Sequence, residues 1–284
     1  KFVYEGVDGI TGSTRLTLLS DQRRGGSMDP SNSSLGKAAS WTVWNDAHQF
    51  EGSTSLETKL SPTADASLHL GAMRLSRTST YGASEFDGTQ TTRSAELLAN
   101  ALVAGAQHLQ LGLSFAGDQF DDHSPATPGQ TSYAYQDLGA WLQDEITLGS
   151  SFEALAGVRL DHHNAFGTHV TPRLSLSYQP AASWTIRASA GTGFKAPTIF
   201  VEDAEVLGYR NIRPLQNILA EEARSASLDL NYHALVGSQL AVKADLALFS
   251  TSIDHALTLR EDSATRAAQA LVITNVNGLT TSRG

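Results

Sequence analysis

Gln107-His108-Leu109-Gln110-Leu111-Gly112-Leu113-Ser114-Phe115 is the stretch that decides the fold class. A period of two puts Leu109, Leu111, Leu113 and Phe115 on one face and His108, Gln110, Gly112 and Ser114 on the other, whereas helical spacing would scatter the leucines. The stretch is therefore expected to be a strand with one oily and one wet face. The same alternation returns at Ala226–Tyr232, where Leu228, Leu230 and Tyr232 oppose Ser227, Asp229 and Asn231. It returns again at Leu240–Leu248, with Lys243 and Asp245 on the wet side. Trp184, Ile186 and Ala188 alternate with Thr185, Arg187 and Ser189, and Leu174, Leu176 and Tyr178 with Arg173, Ser175 and Ser177. About a dozen strands are expected, starting near Ser13, Ser53, Ala66, Thr92, Gln107, Ser132, Phe152, His169, Trp184, Arg224, Gln239 and Ala268.

The connections sort into two kinds that alternate along the chain. Short turns are expected at Ser61-Pro62-Thr63-Ala64, Gly149-Ser150-Ser151, Pro180-Ala181-Ala182 and Val236-Gly237-Ser238. Long polar loops are expected near Asp21–Ser40, Thr78–Thr89, Gly117–Thr131 and Ala196–Glu222, with a shorter one at His162–Thr168. Strands of about 10 residues, with short turns at one end and long loops at the other, describe an antiparallel up-and-down transmembrane β-barrel of the outer-membrane type. A soluble sandwich would also alternate, but its loops would not sort by parity. Tyr133, Tyr135, Trp141, Tyr178, Trp184 and Tyr232 are candidates for interfacial girdles.

Composition removes several classes of function. The 284 residues contain no cysteine, so disulfides, thiolate metal sites and Cys nucleophiles are excluded from this stretch. A net charge of -9 argues against nucleic acid as a partner, because phosphate neutralisation needs a basic face. No apolar run reaches the roughly 18 residues of a membrane-spanning helix, so strands must do any crossing.

Catalysis leaves little trace, and the chain is read as no enzyme. Asp161-His162-His163 and Asp121-Asp122-His123 carry metal-ligand chemistry. In a strand, however, His162 and His163 point to opposite faces, and no metal or cofactor is assigned. Gly191-Thr192-Gly193 lacks the rest of a phosphate loop, and no GxSxG elbow occurs.

Thr171-Pro172-Arg173-Leu174-Ser175-Leu176-Ser177-Tyr178 is followed by Trp184-Thr185-Ile186-Arg187-Ala188-Ser189 and by Gly191-Thr192-Gly193-Phe194-Lys195-Ala196-Pro197-Thr198. These runs resemble the barrel of TonB-dependent receptors, in which a strand ending in Pro-Arg-Leu is followed by one leading to a Gly-Phe-Arg-Ala-Pro box. Lysine stands in the arginine position here. The family's Asn-Pro-x-Leu box is similar to Arg213-Pro214-Leu215-Gln216-Asn217, which departs from it at the position of the box asparagine. Gln143-Asp144-Glu145 and Gly157-Val158-Arg159-Leu160-Asp161 also resemble family strands. Phe194, Lys195, Ala196, Pro197, Pro214 and Leu215 are taken as structural box residues; Pro197 would end the ladder, having no N–H to donate.

The resemblance implies a barrel of about 22 strands around a separate N-terminal plug, of which residues 1–284 would supply part of the wall, without plug or terminal strands. It implies outer-membrane import of a scarce nutrient (siderophore-iron, cobalamin, another metal complex or an oligosaccharide) with energy from the TonB complex acting on the plug. Haem-importing members carry a histidine between the two boxes, and none lies between Pro197 and Asn217. Arg159, Arg173, Arg187, Asp229, Lys243 and Asp245, on wet faces, are expected to meet lumen or plug, since a charge facing lipid at the midplane costs about 2–4 kcal/mol. Tyr81, Phe86, Phe120, His123, Glu202, Asp203, Tyr209 and Arg210 are the loop candidates for ligand contact. A passive porin or adhesin barrel is the alternative, and a soluble carbohydrate-binding sandwich a third.

Overall fold

The computed structural model describes residues 2–5, 9–26, 42–81, 84–125, 129–201, 212–236, 240–261, 271–276 and 278–284. Along them run β1 (Phe2–Glu5), β2 (Ile10–Gly26), β3 (Thr42–Ser61), β4 (Ala64–Tyr81), β5 (Ser84–Val103), β6 (Gln107–Asp122), β7 (Tyr133–Leu148) and β8 (Phe152–His163). There follow β9 (Gly167–Ala181), β10 (Trp184–Lys195), β11 (Glu221–Val236), β12 (Leu240–Asp254), β13 (Leu257–Glu261), β14 (Leu271–Asn275) and β15 (Thr280–Arg283). β1 to β12 and then β15 form a 13-stranded sheet in chain order, antiparallel throughout, while β13 and β14 make a separate hairpin. This is the all-β, up-and-down arrangement that the alternation demanded. The described sheet is an arc of barrel wall rather than a closed ring.

Register assigns every residue to a face. Leu97, Leu113 and Ala140 stand in one row, as do Ala99, Leu111 and Leu142, and the rows continue across β8 through Leu160 and Val158. Leu111, Leu113, Leu138, Leu142, Val158, Leu160, Val170 and Leu174 are all exposed, which in water would be an unmanaged apolar surface and in a bilayer is the lipid face. From the short-turn end, the outer face of β4 reads Ala64, Ala66, Leu68, Leu70, Ala72 and then Arg74; that of β8 reads Phe152, Ala154, Ala156, Val158, Leu160 and then His162. About ten residues of tilted strand match an apolar band about 25 Å tall.

The strands do not stop where the band stops, and here the sequence-based boundaries need correction. Within Thr78–Thr89, expected as a long loop, Thr78–Tyr81 and Ser84–Thr89 are ladder: β4 continues to Tyr81 and β5 starts at Ser84. β2 and β6 likewise run into the segments expected as loops, and β3 begins at Thr42, well ahead of the expected Ser53. Above the band the outer face turns polar as well, so the apolar alternation vanishes although the backbone pairing persists. Side chains reinforce that pairing: Ser79 is fully buried and donates to Asn45 Oδ1 at 2.6 Å, which also accepts from Arg77 Nε at 3.0 Å.

The wet face is inward. Arg159, Arg173, Arg187, Asp229, Lys243 and Asp245 all occupy the rows opposite to the leucines. Arg187 donates to Asn231 at 2.8 Å and Asn231 to Asp245 at 2.9 Å, a chain of polar contacts running across three strands. The girdle expectation divides. Tyr178, Trp184 and Tyr232 lie outside, near the short turns, with Trp184 and Tyr232 rings 4.7 Å apart. Tyr133, Tyr135 and Trp141 share the inward rows with Arg159, because the register of β7 carries its odd positions to that side.

Candidate functional site

At the long-loop end, the inner face of β6, β7 and β8 brings together groups distant in sequence. Arg159 crosses Gly139 to donate to Ser114 Oγ at 2.9 Å, and its Nε is 2.8 Å from both oxygens of Asp161. A side chain at 139 would collide with that guanidinium, and one at Gly112 would collide with the Trp141 indole. The two glycines are thus notches that seat Arg159 and Trp141 flat on the wall, with the guanidinium 4.9 Å from the indole centroid. Higher up, Asp118 accepts from Gln90 Nε2 at 2.9 Å and from Tyr133 Oη at 3.0 Å. Tyr133 stacks on Tyr135 at 4.5 Å, and Tyr135 meets His163 edge-on at 5.1 Å.

The chain leaving β10 folds over this surface. Pro197 and Ile199 are fully buried, and Ile199 joins Phe86, Phe120, Ile212 and Ile273 in an apolar cluster drawn from β5, β6, the segments on either side of residues 202–211, and β14. Phe120 stacks on Phe86 at 6.0 Å and meets Phe200 edge-on at 5.0 Å. Asn275 ties the hairpin down, accepting from Leu219 N at 2.9 Å and donating to the carbonyl oxygens of Leu219 and His255. Beneath Ala196 and Thr198, with Asp118, Tyr135, Asp137 and His163 among its walls, lies a cavity of about 350 Å³.

The family-box residues take structural positions. β9 and β10 pair only as far as Arg173 opposite Gly191, so the ladder parts where Pro172 has no N–H to offer. Phe194 fills the opening, stacked on His169 at 4.1 Å, and His169 Nδ1 lies 3.4 Å from Glu222. Lys195 pairs with Glu221 at 3.7 Å. Leu215 packs against the apolar cluster, and Asn217 adopts a left-handed φ of 55°, which asparagine tolerates better than most residues.

Of the candidate ligand residues, Phe86 and Phe120 are buried inside the cluster, at 5% and 2% exposure, whereas His123 is exposed on the loop after β6. Tyr81 ends β4, with its side chain outside the description; Glu202, Asp203, Tyr209 and Arg210 lie outside the described residues. Asp161 and His163 point inward, and His162 points outward to Thr168, 2.9 Å away. Sequence reading missed Asp118, Tyr133, Tyr135 and Asp137 as a group, because only register brings them together. Gly112 and Gly139, over which Trp141 and Arg159 lie, were the one available signal.

Comparison with known proteins agrees with this geometry. The family model "TonB dependent receptor-like, beta-barrel" matches residues 4–284. The iron-regulated outer membrane virulence protein of Vibrio cholerae is 27% identical over 165 residues, covering 56% of this chain and 25% of that protein. The vitamin B12 transporter BtuB of Vibrio vulnificus is 24% identical over 176 residues, covering 59% and 25%. The chain thus spans about a quarter of the length of these relatives. Among solved structures, a mutant of the ferric enterobactin receptor PfeA from Pseudomonas aeruginosa superposes with a TM-score of 0.71 at 17% identity, over 99% of this chain and 47% of that one. With lipid outside, polar contacts inside and relatives of the outer membrane, the soluble-sandwich reading falls away. The family is one of outer-membrane nutrient-uptake receptors, and this chain belongs to it as TonB-dependent receptor-like β-barrel.

Proposed function

We infer that the protein to which this stretch of wall belongs is an active importer, not an enzyme, which captures a scarce nutrient at its extracellular end and moves it inward with TonB-transmitted energy. The supporting observation is the inward fold of residues 196–201 and the β13–β14 hairpin over the inner wall, which narrows the mouth that a passive pore would keep open. His123, Tyr81, Glu202, Asp203, Tyr209 and Arg210 are proposed to touch the ligand, with Phe86 and Phe120 holding the floor beneath them. Arg159, Arg173, Arg187, Asp229, Lys243 and Asp245 are proposed to face a plug that TonB engages. Near the short-turn end, Glu145, Glu153, Arg187 and Asp229 border an inner-face groove of about 290 Å³ whose polar groups suit such a neighbour.

The ligand is one of the bulky nutrients that such a mouth would have to select: ferric siderophore, cobalamin, another metal complex or an oligosaccharide. The sequence between Pro197 and Asn217 offers no imidazole to haem iron. The test is uptake of labelled ferric siderophores and cobalamin by cells carrying the full-length gene, with and without a working TonB complex. Uptake of one ligand that vanishes without TonB supports the importer. Uptake or ion conductance that persists without TonB would instead establish the porin.

A further inference from the structure

The outer face of β4 and β5 carries two arginines that the import reading does not use. Arg74 follows Ala64, Ala66, Leu68, Leu70 and Ala72 on the outer face of β4, and Arg93 follows Ala101, Ala99, Leu97 and Ala95 on that of β5. Both are exposed. Each stands ten residues from the short-turn end of its strand, Ala64 or Val103, which is the height of the apolar band and places both guanidinium groups at the outer lipid headgroups. Arg74 lies opposite Thr91 and Arg93 opposite Ala72, so the two are diagonal neighbours, about 7 Å apart at the backbone and within common reach of one group.

Among the described residues neither arginine has an ion-pair or hydrogen-bond partner. The carboxylates on this face of β3 to β6 are Asp46, Glu85, Asp87 and Asp121, each at least four residues beyond the position that faces an arginine. Asp46 and Asp121 are already engaged, by His48 and by Gln119. Aromatic rings flank the pair: Phe50 sits opposite Arg74, and the Phe115 ring leans across Gly117, which faces Arg93. Two uncompensated cations on an aromatic shelf at headgroup height face the anionic groups of the membrane itself. A guanidinium matches phosphate with paired N–H donors.

We propose that Arg74 and Arg93 form a binding site for the phosphate group of an outer-leaflet lipid, with Phe50 and Phe115 supporting its upper acyl region. The site is independent of the transported nutrient and does not rest on the import reading.

The test uses the full-length receptor, delipidated in neutral detergent, and measures binding of diphosphorylated lipid A, its dephosphorylated form and inorganic phosphate. Expected is saturable binding of the phosphorylated lipid, weakened roughly tenfold or more in R74Q/R93Q and by added salt. R24Q, an outward arginine stacked 4.0 Å over Trp44 well above the band, should bind as the parent does. R74K/R93K keeps the charge and should retain most binding, which guards against misreading a folding defect in the glutamine variant. Equal binding of both lipid forms, or unchanged binding by a folded R74Q/R93Q, would overturn the site. Millimolar phosphate binding as tightly as the lipid would make it a free-anion site and overturn the lipid assignment.

Discussion

Arg159 meets Asp161 side-on, with Nε 2.8 Å from both carboxylate oxygens and Nη2 2.6 Å from Oδ1, while the carboxylate is 3% exposed. The two are neighbours on one face of β8, so the pair is a local consequence of alternation. Its burial comes from elsewhere, from Ser114 on β6 and Trp141 on β7. Arg159→Met should leave an uncompensated buried charge and destabilise the barrel by about 3 kcal/mol, the lower end for broken buried pairs because the guanidinium keeps some solvent. Adding Asp161→Asn should restore most of that loss. A thermal unfolding series in detergent reads both effects, and full additivity of the two substitutions would contradict the pairing.

Gly112 permits the Trp141 indole to lie on the inner wall, and a Cβ there would occupy the ring's position. Gly112→Ala should therefore lower stability by about 1–3 kcal/mol through overpacking, and Trp141 emission should shift as the ring is displaced. Gly105→Ala meets open space, but its φ of 72° strains any side chain. That variant should lose stability without changing Trp141 emission. If Gly112→Ala left both readouts untouched, the close packing would be refuted.

The absence of cysteine makes the faces directly testable. Single cysteines at Leu109, Leu111 and Leu113 should react with a lipid-soluble maleimide and resist a charged one. Those at Gln110 and Ser114 should not label from the lipid phase. A strict period-two pattern is expected, and a labelling pattern without that period would remove the register on which the inner cluster depends.

What the sequence made legible was the part of the wall in contact with lipid. There a leucine at 109, 111 and 113 contrasts with His108 and Gln110, because the two faces meet different media. Above the band the outer face meets polar surroundings too, and Thr78-Ser79-Thr80 reads as loop although it is paired on both sides. The inner cluster was hidden for another reason. Asp118, Tyr135 and His163 belong to three strands, and their meeting depends on turn lengths and register, neither of which leaves a local pattern. Ile199, Ile212 and Ile273 converge by loop paths that carry no periodicity.

Phe120 is the residue on which the inward fold of the β10–β11 connection depends. It touches Phe86 on β5, Tyr133 on β7 and Phe200 on the incoming segment, and Gly88 leaves room for its ring. Phe120→Ala would open a cavity at that junction, a loss of about 3–5 kcal/mol in a well-packed core. The β-ladder below does not depend on it, so the loss should appear as local opening rather than unfolding of the wall. Amide hydrogen exchange at residues 196–201 should accelerate, while exchange in β8 and β9 stays at the parent rate. Leu111→Ala removes a similar apolar side chain from the lipid face and should leave the segment's exchange unchanged. Equal protection of residues 196–201 in the parent and Phe120→Ala would mean that the segment is held by its backbone and Pro197 alone, and the apolar cluster would then have no part in closing the mouth.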